Sequence, residues 1–179
     1  MKKTITLSIL LLALLVSCER DDICPEDKPT TPRLVIDFKS VVNPESSENV
    51  FSFRAEDADD SDRVLSNYDD ITTSQVILPL KTTADSTQFA LYEDYGEIDD
   101  NGTPDDDTDD IELANKDIIT ITYAREEVYV SRACGYKTIF KNVVITIEND
   151  SDNWLQIVDP INDNTTIEDE TATHFNIRH

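Results

Sequence analysis

The sequence predicts an all-β chain, an antiparallel β-sandwich of immunoglobulin-like or transthyretin-like type with about eight or nine strands. Three features carry that expectation. Apolar and polar residues alternate at period two in a series of short runs. Clusters of Asn, Asp, Ser and Pro separate the runs at intervals of roughly 8–15 residues. Beyond residue 32, no stretch repeats its apolar residues at the helical spacing. A small β-barrel is the alternative closure of the same strands.

The first run opens after Arg33, where Leu34, Ile36 and Phe38 alternate with Val35 and Asp37, as in a half-buried strand. Asn43-Pro44 ends it. Residues 50–54 alternate again and put Phe51 and Phe53 on one face. Residues 56–63, EDADDSDR, read as an acidic loop, and Asn67-Tyr68-Asp69-Asp70 as a turn. Val76, Leu78 and Leu80 form the next run. Pro79 within it withholds a ladder donor, which predicts an edge strand or a bulge. Phe89 and Leu91 mark another strand. Residues 97–112 hold nine carboxylates in 16 positions. Burying that much like charge is prohibitive, so a solvated loop is expected between two strands. Residues 118–123, IITITY, are the clearest β stretch. Ala124-Arg125-Glu126 reads as a turn, residues 128–131 resume the strand, and Gly135 supplies a bulge or a positive φ. Residues 143–147 follow, then Trp154 with Leu155 and Ile157 on one side, and a last short strand at residues 174–177. With only three glycines in the chain, Asn, Asp and Ser must make most of the turns.

The segment before the sandwich has a different composition. Lys2 and Lys3 precede an apolar run at residues 5–16, which is too short for a permanent transmembrane helix of about 20 residues. It ends in Leu15-Val16-Ser17-Cys18. This segment resembles a bacterial lipoprotein signal with its lipobox. The resemblance implies removal of residues 1–17, diacylation of Cys18 and N-acylation of the new terminus, so that membrane lipid becomes a partner of the chain through Cys18. Several acyl chains hold where one does not, at about 0.8 kcal/mol per buried CH2. The alternative is an ordinary cleaved signal that leaves a free cysteine. Glu19-Arg20-Asp21-Asp22 resembles the acidic tag that sends Bacteroidota lipoproteins to the outer face of the outer membrane; its plain reading is a solvated acidic tether. The expected organisation is therefore a signal peptide at 1–17, an acylated tether at 18–32 with Pro25, Pro29 and Pro32, and a β-sandwich domain at 33–179.

With Cys18 lipidated, the three cysteines of the chain leave a pair, and export implies an oxidising compartment. A Cys24–Cys134 disulfide is expected, against the alternative of two thiols with Cys134 buried as a small apolar side chain. The formal charge of -23 repels phosphate backbones and anionic lipid headgroups, which speaks against nucleic acid as a partner, and it attracts divalent cations.

CERDDICPE, VYVSRACGYKTIFKNV and SDNWLQIV carry a resemblance to a family of uncharacterised lipoproteins of Bacteroidota, mainly flavobacteria, defined as a domain of unknown function. The resemblance covers nearly the whole mature chain. It implies location and lineage, and no mechanism.

Candidate chemistry is sparse. Aligning Gly102 with the sixth position of an EF-hand-like loop puts Glu97, Asp99, Asn101, Thr103 and Asp105 at the alternating oxygen positions of a Ca2+ site. Thr108 falls where a bidentate glutamate is usual, and a solvated acidic loop is the competing reading. Asp57, Asp59, Asp60 and Asp62 form a second acidic cluster, read as a plain loop. The two histidines, His174 and His179, lie at the carboxyl end, where a terminal residue is usually frayed. Nothing resembles a nucleophile elbow, a zinc spacing or a phosphate loop. Tyr129, Tyr136 and Trp154 are candidates to stack on a glycan or peptide, or else core and cross-strand residues. Asp85-Ser86-Thr87 resembles a short O-glycosylation acceptor, or is a turn. The expectation is a non-enzymatic envelope or surface module binding a protein, glycan or cation; the alternative is an accessory subunit of an envelope assembly.

Overall fold

The computed structural model describes residues 23–24, 30–102 and 108–179. In chain order its strands are β1 (Leu34–Lys39), β2 (Val50–Asp57), β3 (Asp60–Val64), β4 (Ile71–Thr73), β5 (Gln75–Leu78), β6 (Ser86–Glu93), β7 (Ile98–Asp99), β8 (Ile111–Glu112), β9 (Asn115–Ser131), β10 (Gly135–Ile147), β11 (Ile157–Pro160) and β12 (Phe175–Arg178). A four-stranded sheet has the order β11-β12-β1-β5. A six-stranded sheet runs β10-β9-β6-β2-β3, with β4 also paired to β2. The two sheets close on one core, as the sequence predicts for a β-sandwich. β5 lies at a sheet edge, and Pro79 follows its last residue.

Period two explains which side chains fill the core. Leu34, Ile36 and Phe38 of β1 meet Phe53 and Ala55 of β2, all fully buried. β6 contributes Phe89 and Leu91, and β9 contributes Ile119 and Ile121. The centre is aromatic. The Phe38 ring lies edge-on to Phe53 at 5.5 Å and 5.9 Å from Trp154. One pairing departs from the antiparallel pattern: β1 runs parallel to β12, with Ile36 opposite Phe175 and Phe38 opposite Ile177. A parallel pair needs a long connection between its strands, and here that connection is almost the entire domain.

The structure corrects several local expectations. Phe51 and Phe53 do not share a face, because a bulge at Ser52, whose φ is 42°, inserts one residue between Val50 and Phe53. Val50 and Phe53 point inward and Phe51 is exposed. Residues 56–63 form a hairpin rather than a loop, and Glu56 and Asp57 are buried in it. Ala124-Arg125-Glu126 does not turn. β9 continues through it for 17 residues, and β10 follows it back. Trp154 and Leu155 both point into the core while Ile157 is exposed, because these two residues precede β11 in an irregular segment where alternation does not apply. The acidic segment is not wholly irregular, since its described ends pair as β7 and β8.

Candidate functional site

Two surface features stand out from the sandwich, at opposite ends of β9. β6 pairs with β9 from Glu93 opposite Asn115 to Ser86 opposite Thr122. Past that point β9 keeps β10 as its ladder partner, residues 82–85 still bond Tyr123 and Arg125, and beyond these the two strands form a ribbon. At about 3.4 Å per residue, residues 122–131 carry the ribbon tip roughly 30 Å beyond the end of β6. The acidic arm of β7 and β8 leaves from the other end.

The ribbon tip turns through Arg132, Ala133 and Cys134 to Gly135, whose φ of 71° suits glycine. Ser131 Oγ accepts the Cys134 amide at 3.0 Å. Cys134 is bonded to Cys24, with Cα atoms 4.8 Å apart. The segment leading into the sandwich returns to the same ribbon, where Thr31 Oγ1 accepts the Thr138 amide at 3.0 Å. Tyr129 and Tyr136 are cross-strand partners, edge-on at 5.5 Å, and both are largely exposed. Trp154 does not join them: it is 5 % exposed, and its indole N–H donates to the Leu91 carbonyl. Cys18, the expected acylation site, lies outside the described residues.

At the acidic end the calcium candidates are only partly in view. Thr103 and Asp105 lie outside the described residues. Glu97 accepts the Ser52 hydroxyl at 2.9 Å. Asp99 Oδ1 accepts the Asn101 amide at 3.0 Å, and Asn101 Nδ2 reaches Asp109 at 3.3 Å. Among the described residues, no group of three or more His, Cys, Asp or Glu side chains is placed to hold a metal ion.

Close by, burial first and then the Asp94 and Asp117 carboxylates push Glu93 up to about 7. A carboxyl whose folded pKa lies above its unfolded one binds its proton more tightly in the native state. Its contribution to stability is therefore greatest below about pH 4.5 and is lost as pH rises through 7. Glu93→Gln is expected to flatten that slope and raise stability at pH 8 by ~1–2 kcal/mol, discounted for solvent screening. Urea unfolding across pH 4.5–8 measures it; an unchanged slope would remove Glu93 as its source.

Asp117 is fully buried and accepts the Leu155 amide at 2.7 Å and Asn153 Nδ2 at 3.1 Å, which fixes the Trp154 segment against β9. Burial leads among the causes that raise its pKa. On β2 and β6, Glu56 takes Arg54 Nε at 2.6 Å and the Tyr92 hydroxyl at 3.1 Å. Burial and the Glu56 carboxylate push the Tyr92 phenol up to about 12. Arg54 also lies 4.3 Å over the Tyr95 ring. Sequence reading missed this set. Its only trace is the shared parity of Arg54 and Glu56, which was hidden by assigning residue 56 to a loop. Asp57, expected to be solvated, has Arg63 at 3.5 Å and Lys81 at 3.9 Å.

Both histidines are engaged by the fold. His174 Nδ1 accepts the Val35 amide at 3.0 Å, and its own amide returns to the Val35 carbonyl at 2.9 Å. His179 is not frayed: its amide donates to Lys39, and its ring meets Phe38 at 5.8 Å and Trp154 at 5.5 Å. Burial lowers the pKa of both. Thr87, in the glycosylation-like triplet, is buried, with its hydroxyl taken by Tyr123 at 2.6 Å and by the Lys81 amide at 2.9 Å.

A family model described as "Family of unknown function (DUF6452)" matches residues 49–179. The chain belongs to this family. No curated protein and no solved structure matches it. The DUF6452 match takes in the ribbon, Cys134, Trp154 and both histidines. It begins just before β2 and leaves out Cys24 and β1. Yet β1 is an inner strand of the four-stranded sheet, so in this DUF6452 chain the folded unit extends upstream of the matched residues.

Proposed function

We propose that the chain is a lipoprotein of the bacterial outer membrane, of the Bacteroidota type, whose β-sandwich is a non-enzymatic module for binding a protein or glycan partner at the envelope. The observation that carries this reading is the Cys24–Cys134 bond. Disulfides persist in exported proteins, and this one uses both cysteines that remain once Cys18 is set aside for acylation. The charged n-region, the apolar run and the lipobox supply the rest. Two positive observations support a binding rather than a catalytic role. His174 is engaged by backbone groups of β1, and His179 is packed among core rings, so both imidazoles have structural work. The large exposed features are a ribbon and an arm, the kind of projections that present contact surface.

Metabolic labelling with palmitate in a Gram-negative host tests the anchor. The full-length chain is expected to carry label and to sediment with outer membranes, whereas Cys18→Ala should carry none and enter the soluble fraction. Label that survives Cys18→Ala, or a parent chain without label, would overturn the reading.

A further inference from the structure

The tip of the β9–β10 ribbon is where the chain leaves the sandwich for its amino terminus, and three independent observations converge there. The first is connectivity. The Cys24–Cys134 bond fixes to the ribbon tip a residue only eight positions after the apolar run that ends at Val16. Fully extended, residues 18–24 span at most about 20 Å. Without the bridge, residues 18–33 would allow about 50 Å. The second is side-chain chemistry. Tyr129 and Tyr136 are 58 % and 67 % exposed, stacked edge-on, with no core to fill. Tyrosine combines an apolar ring with a polar tip, which suits the boundary between hydrocarbon and water. The third is charge. The chain holds 38 acidic residues, yet residues 128–147 contain none, the longest acid-free run in the sequence. Arg132 and Lys137 lie within it near the tip, and the acidic arm leaves from the far end of β9.

From these we infer that the ribbon tip, through Tyr129 and Tyr136 with Arg132 and Lys137 beside them, rests on the lipid headgroups of the membrane that anchors the chain. The inference builds on the anchored reading and adds an orientation to it. The acid-free, aromatic end of the β9–β10 hairpin faces the headgroups, and the acidic arm of β7 and β8 is directed away from them, where like-charge repulsion from anionic lipid also pushes it. The tyrosine pair supplies contact, and Lys137, whose ammonium also donates to the Glu168 carbonyl at 2.7 Å, keeps positive charge beside it.

The test uses the full-length acylated chain, reconstituted into phosphatidylethanolamine–phosphatidylglycerol vesicles carrying a nitroxide quencher at headgroup depth. In the parent, emission comes from the core residue Trp154 and sets the baseline. In Tyr136→Trp and in Tyr129→Trp, the added emission is expected to be quenched at least twofold more than that baseline. If the variants float with the vesicles but their added emission is quenched no more than Trp154, the orientation is wrong while the anchor stands. If the parent does not float with the vesicles, the anchor itself fails, and the inference fails with it.

Discussion

Cys24→Ser in the full-length chain is expected to lower stability by about 4–5 kcal/mol. The bond joins residues 110 apart, and a loop of that length carries a large closure entropy in the unfolded ensemble. Little in the folded state opposes the loss, because the bridge sits at the end of a ribbon outside the hydrophobic core. Cys134→Ser should cost the same, and the double variant should cost no more than either alone, since the two residues make one bond. For a domain of this size the loss corresponds to a melting shift of roughly 10–15 °C. Buried Trp154 provides the fluorescence signal for urea unfolding with and without reductant. Equal midpoints in the two conditions would show that the bridge does not stabilise the fold.

A chain that begins at residue 49, the first residue of the DUF6452 match, is expected not to fold cooperatively. It lacks β1, the ladder partner of β5 among the described strands and the link between β5 and β12. It also lacks Leu34, Ile36 and Phe38, each fully buried. Their loss exposes the facing side chains of β2 and removes the Phe38 ring that both Trp154 and His179 touch. Phe38→Ala in the full-length chain isolates part of this effect and should cost about 3–5 kcal/mol. Near-ultraviolet circular dichroism and urea unfolding measure both. A fragment starting at residue 49 with a sharp transition at the parent midpoint would mean that β1 is dispensable.

Much of this architecture can be read from residue pattern alone, and the failures have local causes. The core positions Ile36, Phe38, Leu78, Leu91 and Ile121 follow from strict alternation, because a strand with one buried face leaves no other choice. Alternation misled wherever the backbone gained a residue. The bulge at Ser52 shifts the phase between Phe51 and Phe53, and serine gives no warning of a positive φ. Ala124-Arg125-Glu126 looks like a turn because its polarity is high. Residues 124–127 of β9 are all exposed although Ile139 and Phe140 opposite them are buried, so polarity no longer distinguishes strand from turn there. Asp117 and Glu56 are not legible because acidic residues are ordinarily solvated; their burial depends on donors from Leu155, distant in the sequence, and Arg54. The disulfide followed from counting cysteines, but its place at a ribbon tip depended on knowing that β9 and β10 overrun the sandwich.

The parallel pairing of β1 with β12 also sets an order of assembly. The six-stranded sheet contains hairpins between consecutive strands, β2 with β3 and β9 with β10, which can form as soon as each pair of strands is available. β1 comes first among the described strands, but one of its edges has no partner until β12, the last of them. For a polypeptide delivered amino end first, β1 must wait for almost all the rest, and the four-stranded sheet closes last. Contacts between such distant segments slow folding. Until β12 has emerged, the apolar side of the six-stranded sheet has no complete cover, and residues 175–178 act as the latch of the sandwich.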